Sequence, residues 1–343
     1  MHIRFVDTTE VEHWNDHILK NPDGGNILQG YEFAEQKKLA GWTVRYIFAD
    51  DIAITVIEKA VPGLGKVWYA PKGPGVVTRE TLQALLPSLT SFAKKHGVFT
   101  MKIEPEISHT FSLAPLGLTK TRPIQQHYAT VLVDIAPDLD TILKNFPQKG
   151  RHAIRRAERD GVTIEKVPAT NENCQTMYQL LNETATDAQF GIRPADYYRT
   201  FYQRYEKAGL GQLFFARYEG KVVAGAFAIC FGTKSMYKDG ASIRQRTAYG
   251  ASHLLQWHVI QWAKEHGSLV HDLCGAPPIA HAKDPAHPYH GIGLFKTSFN
   301  KEITEYVGAY EIPVDPLKSK LWTKFIEKLL RRVYYKIHHE SYY

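Results

Sequence analysis

The chain contains the same unit twice. Ala93-Lys94-Lys95-His96-Gly97 recurs as Ala263-Lys264-Glu265-His266-Gly267, 170 positions later. Each copy closes a helix-like segment and precedes an extended one, Val98 to Ile103 and then Leu269 to Leu273. Upstream, Val44 to Glu58 reads as strand, tight turn at Asp50-Asp51 and strand, and Leu213 to Phe231 reads the same way around Glu219-Gly220-Lys221, again 170 positions on. Two features at one offset constrain the fold far more than a five-residue match alone, because self-similarity at a fixed period marks a duplicated structural unit. The pattern predicts two α/β halves with a cleft between them, a favoured place for ligands.

A length of 343 residues is enough for two domains, each with its own core. Hydrophobic residues make up 44% and charged residues 22%, which fits a globular protein and excludes a disordered one. No run approaches the roughly 18 apolar residues of a membrane span. The opening Met1-His2-Ile3-Arg4-Phe5-Val6-Asp7 has no apolar signal core, so secretion is not expected. Cys174, Cys230 and Cys274 are too scattered for a disulfide framework and fit a reducing cytoplasm. The net charge of +7 favours anionic partners, although a solvated basic surface explains it equally well.

Thr81 to His96 predicts a helix, with Leu82, Leu85, Leu86, Leu89 and Phe92 on one face. A domain boundary is expected near Pro137-Asp138. Domain 1 then runs over 1–138 with a returning C-terminal helix at 315–343, and domain 2 over 139–314. Leu139 to Asp160 reads as basic and helical, broken by Pro147 and Gly150. Asp196 to Ala208 and Ser252 to His266 read as further helices, and Gly275 to Gly293 as a long Pro/His/Gly loop. A final helix spans Leu317 to His338, with Trp322, Phe325, Ile326, Leu329, Leu330, Val333 and Ile337 on one face and lysines and arginines on much of the rest. Such a helix can lie on anionic lipid. Packing of its apolar face on the protein is the commoner fate and the one expected here.

Four landmarks could carry chemistry. Ile27 to Trp42 reads as an amphipathic helix closed by Gly41. Lys149-Gly150-Arg151-His152-Ala153-Ile154-Arg155-Arg156-Ala157 is a basic stripe, equally suited to solvent or to a phosphate backbone. Arg246-Thr247-Ala248-Tyr249-Gly250-Ala251 is a glycine loop opening a helix, which can offer backbone N–H groups to an anion. The last runs from Gly275-Ala276-Pro277 through Gly291-Ile292-Gly293-Leu294-Phe295-Lys296 and Phe299 to Glu305-Tyr306-Val307-Gly308-Ala309-Tyr310. His271, His281, His287 and His290, with Asp272 and Cys274, match no common metal-ligand spacing, so no metal is expected. Cys230, within an apolar run, reads as a small core residue.

In this order the landmarks resemble the Fem (FemABX) family of tRNA-dependent aminoacyltransferases, which build peptidoglycan side branches. The resemblance covers nearly the whole chain. It rests on Leu28-Gln29 with Phe33 and Lys37, on Arg151-x-x-Ile154-Arg155-Arg156-Ala157, and on Gly291-Ile292-x-x-Phe295-Lys296-x-x-Phe299. It implies an α/β fold of two GNAT-like domains in tandem. No room exists for the coiled-coil arm of several relatives, so the short, FemX-like form is expected. The resemblance places Lys37, and with a looser match Arg193 of Phe190-Gly191-Ile192-Arg193, on the diphosphate of a nucleotide-linked precursor. Tyr237, Tyr249 and Gly250 complete the expected substrate-binding set. Lys296, beside Phe295, falls near the reacting ester, and Glu104 stands where relatives often carry aspartate. Lys149, Arg151, Arg155 and Arg156 form the expected tRNA or phosphate patch.

The implied reaction needs no cofactor, because an aminoacyl-tRNA ester is already activated. The acceptor amine attacks the ester carbonyl, a lysine ammonium steadies the oxyanion, and a carboxylate or the substrate takes the amine proton. Domain 1 is expected to bind the precursor, either UDP-MurNAc-pentapeptide or a lipid-linked form, and domain 2 the aminoacyl-tRNA. A cytoplasmic monomer is expected, with peripheral contact at the inner face of the plasma membrane left open. Two other readings stand beside this one: a GNAT-like N-acyltransferase using an acyl-CoA or acyl-carrier donor, and a non-catalytic RNA-binding protein.

Overall fold

The computed structural model describes residues 1–124, 128–188, 191–243, 248–338 and 342. Strands β1–β15 and helices α1–α12 are numbered along the chain. The chain forms two compact units, Met1–Tyr128 with Glu305–Tyr343 and Ala129–Thr304. The passages fall ten residues before the positions read from sequence. Two-residue strands, β7 (Ala129–Thr130) and β14 (Thr304–Glu305), lie at them.

Unit 1 is built on a sheet of β1 (Ile3–Phe5), β2 (Thr43–Ala49), β3 (Ile52–Val61), β4 (Gly65–Ala70), β5 (Val98–Ile103), β6 (Thr119–Thr121) and β15 (Ala309–Ile312), in the order β1-β2-β3-β4-β5-β15-β6. Only β4 and β5 run parallel, and α4 (Arg79–Lys95) makes the crossover between them. Leu82, Leu85, Leu86, Leu89 and Ala93 of α4 are buried against one sheet face with Val56, Trp68 and Met101. The opposite face carries Ile57, Tyr69, Phe99 and Trp42, covered by Trp322.

Unit 2 repeats the plan. Its sheet holds β8 (Leu132–Asp134), β9 (Thr163–Val167), β10 (Gly211–Tyr218), β11 (Lys221–Phe231), β12 (Lys234–Ser242) and β13 (Val270–Asp272), ordered β8-β13-β12-β11-β10-β9. Here β12 and β13 are the parallel pair and α9 (Ala251–Glu265) is the crossover. The repeated peptide closes α4 and α9 alike, with Gly97 (φ 76°) and Gly267 (φ 82°) in the left-handed conformation that glycine adopts without steric cost. The two-residue loops of the matching hairpins are Asp50-Asp51, between Ala49 and Ile52, and Glu219-Gly220, between Tyr218 and Lys221, so the offset there is 169 rather than 170.

Four local readings change. Ile27 to Leu39 is not one helix: a 3-10 turn at Ile27–Gln29 is followed, after extended Gly30, by α3 (Tyr31–Leu39). The Gln29 carbonyl that would continue the helix is taken instead by Trp14 Nε1, at 3.1 Å, and by Thr55 Oγ1. Gly150 breaks nothing. It lies inside α6 (Gln148–Arg159), where a Cβ would stand 2.0 Å from the Ser298 carbonyl oxygen, and the break from α5 (Leu139–Asn145) falls at Phe146-Pro147. The stretch from Gly275 to Gly293 is a loop only as far as Tyr289, apart from a short 3-10 turn, because α10 (His290–Lys296) begins inside it. The final helix is α11 (Pro316–Leu321), a π turn at Trp322–Ile326 and α12 (Glu327–His338), and its apolar residues do not share one face. Trp322, Ile326 and Leu330 pack on the core with Tyr334, whereas Phe325, Leu329, Val333 and Ile337 are exposed.

Candidate active site

In unit 1 the chain leaves the parallel pair at Glu104. Its backbone N–H donates to the Gly73 carbonyl at 2.9 Å. Its carboxylate accepts from the Tyr69 hydroxyl at 2.5 Å and from the Ile124 N–H at 2.8 Å. Burial raises its proton affinity above the ordinary carboxylate value, with these two hydrogen bonds, Lys72 and Lys102 pulling the other way. Glu104 lines a small, open pocket with Lys72, Pro105, Pro123, Tyr128, Tyr306, Gly308 and Ala309. Lys72 is buried, with its ammonium 3.7 Å from Glu106 Oε1 and 4.8 Å from the Tyr306 ring centroid. The Lys72 ammonium thus stands between Glu104 and Glu106, and Lys102 also acts on Glu104. Lys72 was missed from sequence. Its signal was a lysine locked between Pro71 and Gly73-Pro74 at the end of a strand.

Gln29 of the first landmark holds that turn in place. The β3–β4 ladder pairs Ile57 with Tyr69, so Thr55 would next face Pro71, which has no N–H to give. The Gln29 amide fills the gap. Nε2 donates to Thr55 O at 3.1 Å and Pro71 O at 2.7 Å, and Oε1 accepts from the Thr55 N–H at 2.8 Å. Lys37 lies on the buried side of α3, 1% exposed, with its ammonium 5.2 Å from the Phe33 ring centroid. The adjacent Lys38 is turned outward and bound to Glu35 at 2.5 Å.

In unit 2 the equivalent strand end is Cys274, with a left-handed backbone (φ 60°) and its N–H donating to Asp272 Oδ1 at 2.6 Å. Thr130 donates to the same carboxylate oxygen. The turn aims two carbonyls at Lys296, whose ammonium donates to Cys274 O at 2.7 Å and Gly275 O at 2.8 Å. An ammonium has three donors. Burial lowers the proton affinity of Lys296, while Cys274 and Asp272 act to raise it. Phe295 packs edge-on against Phe299 and His253. His253 is a further residue missed from sequence. Burial holds its pKa down at about 4, with Lys149 adding to the effect, and its Nε2 has no hydrogen-bond partner among the described residues.

The structure disperses part of the expected set. Tyr237 packs against the unit 2 core with its hydroxyl over Gly240, where a Cβ would stand 1.6 Å away, and burial raises its pKa. Gly250 (φ 82°) heads α9 against α6, a Cβ there being 2.2 Å from the Ala153 carbonyl oxygen. Tyr249 sits under Arg156, whose guanidinium is 4.8 Å from the ring centroid. Arg151 is committed to structure: it caps α5 by donating to Lys144 O at 2.8 Å and Phe146 O at 2.5 Å. Lys149 and Arg155 are exposed. Arg193 lies over Tyr197, 4.6 Å from its centroid. Phe190 of its segment, and Arg246 and Thr247 of the glycine loop, lie outside the described residues.

His271 is buried, with its ring nitrogens on Ser235 Oγ at 2.8 Å and Gln256 Nε2 at 2.5 Å, so it has no face for a ligand. Cys230 is buried among the core residues of unit 2.

The fold is a tandem of two α/β units of one plan, each with a parallel strand pair and its crossover helix, without a coiled-coil arm among the described residues. The chain belongs to the FemAB family, whose model matches residues 8–116, 108–218 and 212–328. It is similar to the lipid II:glycine glycyltransferase of Staphylococcus aureus, 22% identical over 422 aligned positions that cover 94% of this chain and 99% of the relative. The solved structure of FemX superposes with a TM-score of 0.79 at 21% identity, covering 94% of this chain and 100% of that one. The structure of L-PGS from Bacillus licheniformis gives 0.55 at 16% identity, covering 93% and 97%. At these identities the likeness is one of fold.

Proposed function

We propose that this chain transfers an amino acid from aminoacyl-tRNA to a side-chain amine in the stem peptide of a peptidoglycan precursor, forming part of an interpeptide bridge. Family membership and the glycyltransferase relative support the class of reaction. The observation that carries the residue assignment is Glu104, a buried carboxylate of raised proton affinity that lines a pocket beside Lys72.

The acceptor enters unit 1 as an ammonium and gives one proton to Glu104, becoming nucleophilic. Its nitrogen attacks the ester carbonyl carbon. The C–N bond forms, the oxyanion collapses, and the bond to the ribose oxygen breaks. The attacking nitrogen loses its second proton to the leaving ribose oxygen, and Glu104 releases the first to solvent, so one proton leaves per turnover and charge balances over the cycle. Lys296 is assigned to the oxyanion, where an ammonium contributes about 2.7–4 kcal/mol in comparable sites. Lys37 and Arg193 are assigned to the precursor diphosphate, and Lys149, Arg155 and Arg156 to the tRNA backbone.

The test is incubation with each charged tRNA and with UDP-linked and lipid-linked precursors, read by mass spectrometry. A gain of one amino acid residue is expected on one acceptor. No gain with any pairing, from a folded protein, overturns the reading.

A further inference from the structure

The segment from Leu317 to Ile337 has two faces with different fates. Trp322, Ile326, Leu330 and Tyr334 face the unit 1 core. Leu317, Leu321, Phe325, Leu329, Val333 and Ile337 form a second row at four-residue spacing and stay exposed, at 82% for Leu317, 66% for Phe325 and 66% for Ile337. A row of that spacing drifts around a regular helix of 3.6 residues per turn. The π turn at Trp322–Ile326, with its wider winding, offsets part of the drift. One residue before each of five of these positions stands a cation: Lys320, Lys324, Lys328, Arg332 and Lys336, all exposed. Glu327 is the one acid from Leu317 to Ile337, and it is turned inward onto Lys102 at 3.0 Å.

We propose that this outer face docks the protein in the headgroup region of an anionic lipid bilayer. An apolar row enters the acyl boundary while the neighbouring basic row meets the lipid phosphates, the geometry of an interfacial helix. The sign of the charge selects this occupant: a protein groove could take the apolar row, but the five aligned cations match an anionic sheet. Sequence reading set lipid contact against packing on the protein as alternatives. The helix has a face for each. The inference stands independently of the transfer reaction.

Co-sedimentation with vesicles tests it, using the full chain with phosphatidylcholine alone or mixed with phosphatidylglycerol. Wild type is expected to partition onto the anionic vesicles at least about tenfold more than onto the neutral ones, and less as salt rises. Phe325→Ser with Leu329→Ser should cut that partition about tenfold with an unchanged thermal melt, because both side chains are exposed. Lys324→Glu with Lys328→Glu should cut it on anionic vesicles alone. Transfer to a water-soluble precursor without vesicles should be the same in all three, which separates this inference from the proposed activity. Wild type left in the supernatant, equal binding to both vesicle types, or a Phe325/Leu329 variant that binds like wild type overturns it. A dimer in light scattering that the same variant dissociates, with no vesicle binding, assigns the face to a second copy of the chain instead.

Discussion

The two units differ most where their topology agrees best. Glu104 follows β5 and Cys274 follows β13, at the repeat offset of 170. In unit 1 that position is a buried carboxylate, with an ammonium at Lys72 beside it. In unit 2 it is a left-handed turn whose carbonyls hold the Lys296 ammonium. One scaffold thus sets a carboxyl group at one strand end and an ammonium at the other. Duplication supplied the parallel pair and its crossover helix. The residue just past the strand decides the sign of the site.

If that contrast is right, Lys296→Met is the most damaging single change. It should lower single-turnover transfer by a factor of about 10²–10³. It should also lower the thermal melt, because two inward carbonyls lose their donor at about 1–3 kcal/mol per unsatisfied group. Lys296→Arg should recover stability more than rate, since a guanidinium fits the carbonyl pair but not the point-charge position. A Lys296→Met protein that transfers at wild-type rate would break the assignment of Lys296 to the oxyanion.

Glu104→Gln should cost about 10²-fold or more in rate with little loss of stability, since the amide keeps an acceptor for Ile124 or Tyr69. The pH response sharpens this. Because burial raises the folded-state pKa of Glu104, its contribution to stability is full below the unfolded value and is lost as pH rises through the folded one. Melting curves across pH should show that fall in wild type and a flatter profile in Glu104→Gln. An unchanged slope would mean the carboxyl is not held in the state described.

Gln29→Leu tests whether the first landmark serves the pocket through the turn. Three hydrogen bonds go, and about 1–3 kcal/mol of stability should go with them. Acceptor KM should rise as Lys72 loses its placement, and an unchanged KM in a folded protein would make Gln29 a staple of the sheet alone. The smallest effects are expected at the repeated peptide itself. Gly97→Ala and Gly267→Ala meet nothing within 4 Å, so each should cost only the left-handed backbone penalty of about 1–2 kcal/mol. Unequal losses would show that the two caps are not equivalent.

The fold class was legible because glycines, hairpin turns and the leucine face of α4 announce themselves by spacing, and the family because Leu28-Gln29, Arg151 to Ala157 and Gly291 to Phe299 resemble its motifs in order. What could not be read has a common cause. Periodicity assumes that buried means apolar, and α3 buries Glu32, Gln36 and Lys37 along with Phe33. Gln29 looked like a helical residue because nothing in a sequence shows that Pro71, forty-two positions on, lacks the N–H it replaces. The terminal helix was read as one apolar face because a π turn, invisible to a regular period, divides it. Of the basic stripe, the spacing gave no hint that Arg151 was spoken for by α5.

One feature of the chain path bears on how the protein is made. Unit 1 is interrupted: β15, which pairs with β5, and Trp322, which covers Phe99, arrive only after all of unit 2 has been synthesised. On the ribosome, unit 2 is the first domain whose whole sequence is available, and the N-terminal domain must wait with β5 as an open edge and one sheet face bare. Such an edge is a hazard for mispairing between nascent chains. A segment that emerges only after unit 2 thus closes the unit that was begun before it.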